Sequence, residues 1–389
     1  MMEQITSRVT LHSGDCLDIL PTLAECSIDS CVTDPPYGLS FMGRNWDHGV
    51  PGIPFWKEVY RVLKPGGHVA AFGASRGYHR MACAIEDAGF EIRDSLMWIY
   101  GTGFPKSHNV AVGIDKAKSL TSARGKGFNA AGIGESNGGS SLRSDHPDYV
   151  PCVPQSLEAA EWEGWGTALK PAFEPVVLAR KPLSEKTVAK NVLRWRTGAL
   201  NIDGCRIAGE TPVFSYSGGK SAGVFGDGLQ GSARTGDVST AGRWPANVCH
   251  DGSDEVVEAF PASKAGGLTG IDRAPIGYSG GSRGRGIVTK AFDDCGSAAR
   301  FFYSAKASKA DRAGSKHPTI KPVSLMQWLC RLITPPGGTI LDPFAGSGTT
   351  GAAAQNEGFR AILIEREAEY QQDIRHRFAA SSDLLEAAE

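Results

Sequence analysis

Asp34-Pro35-Pro36-Tyr37 sits where an apolar run, Ile28 to Thr33, empties into Gly38. Two consecutive prolines have fixed φ and no N–H, so the turn is stiff and its carbonyls are free to accept. A carboxylate, a free carbonyl and an aromatic ring are thereby held close together. That set suits the gripping of a planar heterocycle that carries an exocyclic amine. Asp34 and the Pro35 carbonyl each accept one amine hydrogen, and Tyr37 stacks on the ring face. The amine lone pair is normally delocalised into the ring; holding both hydrogens off the ring axis favours a more tetrahedral, more nucleophilic nitrogen. A stacking role predicts that Phe or Trp can replace Tyr37. An ordinary proline turn with a solvated Asp is the bland alternative, and the rest of the chain bears on the choice.

A second constellation follows the strand-like run Thr339 to Leu341: Asp342-Pro343-Phe344-Ala345-Gly346-Ser347-Gly348-Thr349-Thr350-Gly351. Gly346, Gly348 and Gly351 match GxGxxG, and Glu365 closes the next strand, where an acidic residue grips ribose hydroxyls. Alone, this reads as dinucleotide binding. Asp342, at the tip of the first strand, would repel a pyrophosphate and suits an α-ammonium group. S-adenosylmethionine has ribose hydroxyls, an amino-acid ammonium and no phosphate, so it fits better. A P-loop is excluded because no Gly-Lys-Ser/Thr follows the glycines. A tight turn that packs helix on strand without a ligand is the remaining reading.

The elements that must position these residues alternate. Strands are predicted at Arg8–Ser13, Ile28–Thr33, His68–Phe72, Glu91–Tyr100, Pro175–Ala179, Thr339–Leu341 and Arg360–Ile364. Helices are predicted at Cys16–Leu23, around Phe55 to Leu63 with Pro65-Gly66-Gly67 as the stop, at Met81–Ala88, around Leu325 to Ile333, and before Glu357. Such alternation means an α/β fold with a mostly parallel sheet covered on both faces. Residues 105–165 are rich in Gly, Ser, Asn and Lys and read as a long insertion. A second irregular region from about 182 holds Arg194-Trp195-Arg196, Arg243-Trp244 and the Gly/Ser/Arg stretch Gly280 to Gly286, a mixture that favours phosphates and bases. Long surface insertions without a partner are the alternative there.

The chain has 389 residues, enough for two domains or one large domain with an insertion, and a formal net charge of −1. Residues 105–316 hold 27 Lys and Arg against 21 Asp and Glu, so a positive middle lies between negative flanks and suggests an anionic partner. Nine cysteines stand singly with no CxxC, which argues against a zinc module or a disulfide framework and for buried free thiols in a reducing compartment. No metal site is expected. No run approaches membrane-spanning length and the N-terminus has no signal-like core, so a soluble cytoplasmic protein is expected.

Asp342-Pro343-Phe344-x-Gly346-Ser347-Gly348-Thr349 resembles the cofactor motif of the S-adenosylmethionine-dependent amino-methyltransferases of DNA, and Asp34-Pro35-Pro36-Tyr37 resembles their catalytic motif. The order, catalytic motif first and cofactor motif last, is similar to the β group of that family, as is His317-Pro318-Thr319-x-Lys321-Pro322. The resemblance implies a Rossmann-like methyltransferase fold with circularly permuted motif order. Catalytic and cofactor halves fall at 1–104 and 316–389, with a sheet strand at 172–181. An insertion at 105–171 and a target recognition region at 182–315 are both candidates to read DNA.

By position, Asp15 with Cys16 would hold the cofactor adenine and Glu365 its ribose. The Asp342 to Thr349 loop, with His317, Thr319, Lys321 and Pro322, would surround the methionine end. Asp34, Pro35, Pro36 and Tyr37 would receive a base flipped out of double-stranded DNA, and Arg44, Lys106, Arg194, Arg196 and Arg243 are the candidate DNA contacts. The stretch Phe41 to Asp47 is expected to close over the base. Members with Asp at the first motif position mostly act on adenine N6, those with Ser mostly on cytosine N4. Cytosine-N4 methylation, a DNA-binding module without catalysis, an RNA or protein-glutamine methyltransferase and a nicotinamide oxidoreductase are the rivals. Dimerisation rests on the resemblance only, and a restriction nuclease partner is not indicated either way.

Overall fold

Every side chain of Ile28–Thr33 is buried, which makes this run an interior strand of a sheet covered on both faces. The structure is a computed structural model and describes residues 1–38, 49–101, 103, 107–120, 153–209, 211–217, 233–239, 241–264, 268–271, 286–290, 295–305, 308–315 and 320–386. Its strands are β1 (Met2–Gln4), β2 (Val9–Ser13), β3 (Ile28–Thr33), β4 (Leu63–Phe72), β5 (Glu91–Ile99), β6 (Phe173–Arg180), β7 (Thr211–Ser217), β8 (Ala233–Ser239), β9 (Val248–His250), β10 (Ala262–Lys264), β11 (Leu268–Ile271), β12 (Gly286–Lys290), β13 (Cys295–Ser297), β14 (Tyr303–Ser304), β15 (Thr339–Asp342) and β16 (Arg360–Glu365). The helices are α1 (Cys16–Ile19), α2 (Ile53–Val62), α3 (Tyr78–Asp87), α4 (Val110–Ala117), α5 (Leu157–Glu161), α6 (Val188–Trp195), α7 (Asp254–Ala259), α8 (Val323–Ile333), α9 (Thr349–Asn356) and α10 (Ala368–Glu386).

Ten strands make the main sheet in the order β1-β2-β16-β15-β3-β4-β6-β5-β9-β14. From β2 through β4 all pairings are parallel. β6 runs antiparallel to both of its neighbours, and β9 and β14 continue parallel beyond β5. The two-residue period of a strand sends alternate side chains to opposite faces. Val32, Ala70 and Phe72 join α8, α9 and α10 on one face, while Cys31, Val69 and Ala71 join α2 and α3 on the other. This is the Rossmann-like α/β arrangement, and no described helix is long and apolar enough to cross a membrane.

Three local features differ from the sequence reading. Pro65-Gly66-Gly67 does not separate helix from strand: α2 passes directly into β4 at Leu63. Ile28 pairs with Leu63 and Ser30 with His68, so the glycines are absorbed as an irregularity of register, with Gly66 at φ 84°. Residues 182–315 are not uniformly irregular either, since β9 and β14 extend the main sheet and three further antiparallel ribbons pair β7 with β8, β10 with β13 and β11 with β12. Of the eight described cysteines, all free, Cys31, Cys205, Cys249 and Cys330 are buried, but Cys83 and Cys295 are exposed.

The chain divides into two compact units, 1–101 with 173–389, and 102–172. In the second, the described residues hold two short helices. Asn109 caps α4 and Ser156 caps α5, each accepting the backbone N–H three residues on. Asp115, fully buried, accepts from Ser156 Oγ and Gln155 N at 2.8 Å and so ties the two helices together.

Candidate active site

Four parallel strands, β2, β16, β15 and β3, lie side by side, so the residues that follow them line one edge of the sheet. Glu365 stands level with Ser13, and Asp342 with Leu363. Asp15, Glu365, Asp342 and Asp34 are therefore brought to the same carboxyl edge, where open α/β sheets place their ligands.

Asp342 is 2% exposed. Its Oδ1 accepts from Thr33 Oγ1 at 2.7 Å and from Phe344 N at 3.1 Å, which bends the chain into the glycine loop. Burial pushes its carboxyl up to about 6, against the pull of the hydrogen bonds from Thr350, Thr33 and Phe344. Glu365 accepts from Gly346 N at 2.7 Å through Oε2 and from Glu367 N at 2.8 Å through Oε1, and burial pushes it up to about 7. Gly346 and Gly348 have φ of 51° and 79°. A Cβ at Gly348 would approach Ile374 Cγ1 to 3.0 Å, so any other residue here would be both strained and crowded.

Two carboxylates beside a tight glycine loop form a donor-poor, acceptor-rich cradle. It disfavours a phosphate and fits the ammonium and ribose hydroxyls of S-adenosylmethionine. Asp15 lies at the rim; its Oδ1 caps α1 at Leu17 N and its Oδ2 lies 3.4 Å from Arg366 Nη1. Burial raises the neighbouring Cys16 thiol to about 12, which keeps it protonated and unreactive. Pro343 and Ser347 are buried and Thr349 opens α9. Phe344 packs its ring 5.0 Å from that of Phe55.

Sequence reasoning missed Arg377. This α10 residue, 6% exposed, donates from Nε to Ser347 O at 2.7 Å and from Nη2 to Ser347 Oγ and Asp311 O at 3.2 and 2.9 Å. It clamps the glycine loop from behind.

At the Asp34 motif the side chains form a closed network. The Tyr37 hydroxyl lies 2.7 Å from Asp34 Oδ1 and 2.9 Å from Glu174 Oε2, and donates its one hydrogen to one of them at a time. Lys321 Nζ donates to Asp34 Oδ2 at 2.7 Å and Tyr37 OH at 3.1 Å, and stands 3.0 Å from Glu174 Oε2. The ammonium also lies 4.9 Å from the centre of the Phe72 ring. Burial pulls the Lys321 pKa down, but Asp34 and Glu174 outweigh it and the net direction is up, so it is a permanent cation. Burial and the two carboxylates push the Tyr37 phenol well above its usual value.

Lys321 thus reaches the Asp34 motif, whereas the sequence reading grouped it with the methionine end of the cofactor. Pro322 beside it is the N-cap of α8. Glu174 had no assignment. It arrives because β6 is antiparallel: its first residues lie beside the last residues of its neighbours, with Glu174 level with Trp98 and Val176 with Phe72.

Of the candidate DNA contacts, Arg194 is exposed and bonds Glu185 at 2.7 Å, and Arg196, exposed at φ 64°, ends α6 in the left-handed conformation. Arg243 Nη1 donates to Ala208 O at 2.9 Å and Arg300 O at 3.3 Å, so its head ties loops together. Arg206, not singled out from sequence, lies over the exposed Trp244 ring at 5.4 Å. Arg44, Lys106, His317, Thr319 and the stretch Phe41 to Asp47 lie outside the described residues.

The chain matches a family model described as DNA methylase, of the N6/N4 type, over residues 28–376. It is 43% identical to "Type II methyltransferase M2.DpnII" of Streptococcus pneumoniae over 75 residues, 19% of this chain; the matched stretch spans 28% of that protein's length. Among solved structures it is similar to the M1.HpyAVI–SAM complex, with 15% identity, 95% of this chain and 98% of the other covered and a TM-score of 0.41. It is also similar to the cytosine-N4-specific PvuII DNA methyltransferase, with 16% identity, 96% and 87% covered and a TM-score of 0.46. With the family match extending across both motifs, the chain belongs to the N6/N4 family of S-adenosylmethionine-dependent DNA methylases.

Proposed function

We propose that this protein is a DNA methyltransferase that modifies N6 of an adenine flipped out of double-stranded DNA. The observation that carries the reading is the Asp34 motif itself: a half-buried proline turn whose carboxylate is pinned on the same sheet edge as the glycine loop. Family membership supports amino-methylation, and Asp rather than Ser at the first motif position favours adenine over cytosine.

S-adenosylmethionine, when bound, supplies a methyl group on a cationic sulfur. Asp15, Glu365 and the Asp342 to Thr349 loop would hold it at its adenine, ribose and methionine ends. Asp34 and the Pro35 carbonyl accept the two hydrogens of the target amine, and Tyr37 covers the base. A neutral amine so held needs no deprotonation before it reacts, so the protein contributes chiefly alignment and exclusion of water. Residues 182–315, with exposed Arg194 and Arg196 and the Arg206–Trp244 pair, would face the DNA backbone and bases.

The test is to incubate the purified protein with unmethylated duplex DNA and S-adenosylmethionine, digest the DNA to nucleosides and separate them. N6-methyladenine is expected. N4-methylcytosine would overturn the choice of base, and unmodified DNA with the cofactor bound would overturn the reading.

A further inference from the structure

Both oxygens of Asp34 are already in use: Oδ1 by the Tyr37 hydroxyl and Oδ2 by the Lys321 ammonium, each at 2.7 Å. An amine that docks on Asp34 must therefore share its two oxygens with donors from the protein's own chain. Three donors and two carboxylates share the cluster, and Glu174 is the second carboxylate. Its Oε2 lies 2.9 Å from the Tyr37 hydroxyl and 3.0 Å from Lys321 Nζ, so both donors that occupy Asp34 have an alternative acceptor within reach without leaving their places. The side chains of Asp34 and Glu174 are 20% and 18% exposed, while that of Lys321 is 6% exposed, so the cation cannot discharge its interactions into water. The Tyr100 hydroxyl also bonds Glu174 and steadies it.

We propose that Glu174 is a positioning residue that takes over the Lys321 ammonium and the Tyr37 hydroxyl hydrogen when the target amine docks, and so releases Asp34 as an acceptor. The hand-over moves hydrogen bonds within the cluster and transfers no proton. This inference rests on the reading of Asp34 as the amine acceptor. Without the Glu174 charge, Lys321 has one carboxylate left and stays on it.

The charge count gives the test. The cluster of Asp34, Glu174 and Lys321 carries a net −1; E174Q brings it to zero, and E174Q/K321M restores −1 with Asp34 unblocked. In E174Q, kcat/KM for DNA should fall on the order of 10²-fold, the scale of a misplaced reacting group, with affinity for S-adenosylmethionine unchanged. E174Q/K321M should recover at least about tenfold over E174Q, whereas two losses of merely structural contacts would add or leave the double variant no better. E174D, which keeps the charge, should lie at least about tenfold above E174Q on the same scale. E174Q within twofold of wild type, a double variant no better than E174Q, E174D no better than E174Q, or loss of cofactor binding in E174Q would each overturn the proposal. If wild-type protein methylates DNA and the double variant shows no recovery, this inference falls and the proposed function stands. If wild-type protein does not methylate DNA, the function itself falls.

Discussion

Replacing Asp34 with Ala removes the proposed acceptor for the target amine and leaves the residues of the glycine loop and Glu365 unchanged. Methyl transfer should drop on the order of 10²-fold or more, while a titration with S-adenosylmethionine shows near-normal affinity; lost cofactor binding would contradict the separation of the two roles. Tyr37→Phe keeps the ring and deletes the hydroxyl that joins Asp34 to Glu174. Because that hydroxyl also occupies Asp34, its loss leaves the acceptor open and kcat should stay within about threefold of wild type; a fall of about tenfold or more would show that the hydroxyl holds Asp34 in place and does not compete for it. The proline motif was legible in the sequence because its chemistry is contiguous. Glu174 was not, because it lies 137 residues away from Tyr37 and acts there only through the antiparallel placement of β6. Arg243 looked like a nucleic-acid contact by composition, yet backbone carbonyls hold its guanidinium, and sequence carries no sign of that.

The strand tips set a pH dependence. Burial raises Asp342 to about 6 and Glu365 to about 7, so in the free protein both take up protons as pH falls through that range. If, as proposed, the ionised forms hold the cofactor's ammonium and ribose, affinity for S-adenosylmethionine should rise as pH increases through about 6 and 7 and then level off. Calorimetric titration checks this, and an affinity that falls over the same window would contradict it. Stability of the free protein runs the other way. A carboxyl whose folded pKa exceeds its unfolded value favours folding most below the unfolded value, and that contribution is lost as pH rises through the folded one.

Arg377→Ala should release the glycine loop from α10, cost about 1.5–3 kcal/mol of stability and weaken cofactor binding, read by thermal denaturation and the same titration. Unchanged binding would make the clamp irrelevant to the loop. The β15–α9–β16 unit was legible because strand, glycine turn, helix and acidic tip follow one another in sequence. The α2–β4 junction was not, because a proline and two glycines normally stop a helix, and here the pairing of β3 with β4 absorbs them instead. The caps of α4 and α5 were present as Asn109 and Ser156 but were masked by the polar, glycine-rich composition around them.

Across the molecule, two motifs separated by some three hundred positions meet because β15, from the end of the chain, pairs with β3, from its beginning. Their shared sheet edge puts Asp34 and Asp342 at the carboxyl ends of adjacent strands. Alternation of strands and helices made the α/β class readable. The placement of β9 and β14 in the main sheet was not readable, because each has only two or three residues and no periodicity to show.

The central claim is that the Asp34 motif and the glycine loop together make a DNA adenine-N6 methyltransferase. Its most direct test is to express the protein in a host lacking its own DNA methylation and to sequence the genomic DNA for modified bases. N6-methyladenine confined to one short sequence motif, and absent when Asp34 is replaced by Ala, is the expected result. Genomic DNA without any modified base, from cells that hold folded, cofactor-binding protein, would contradict it.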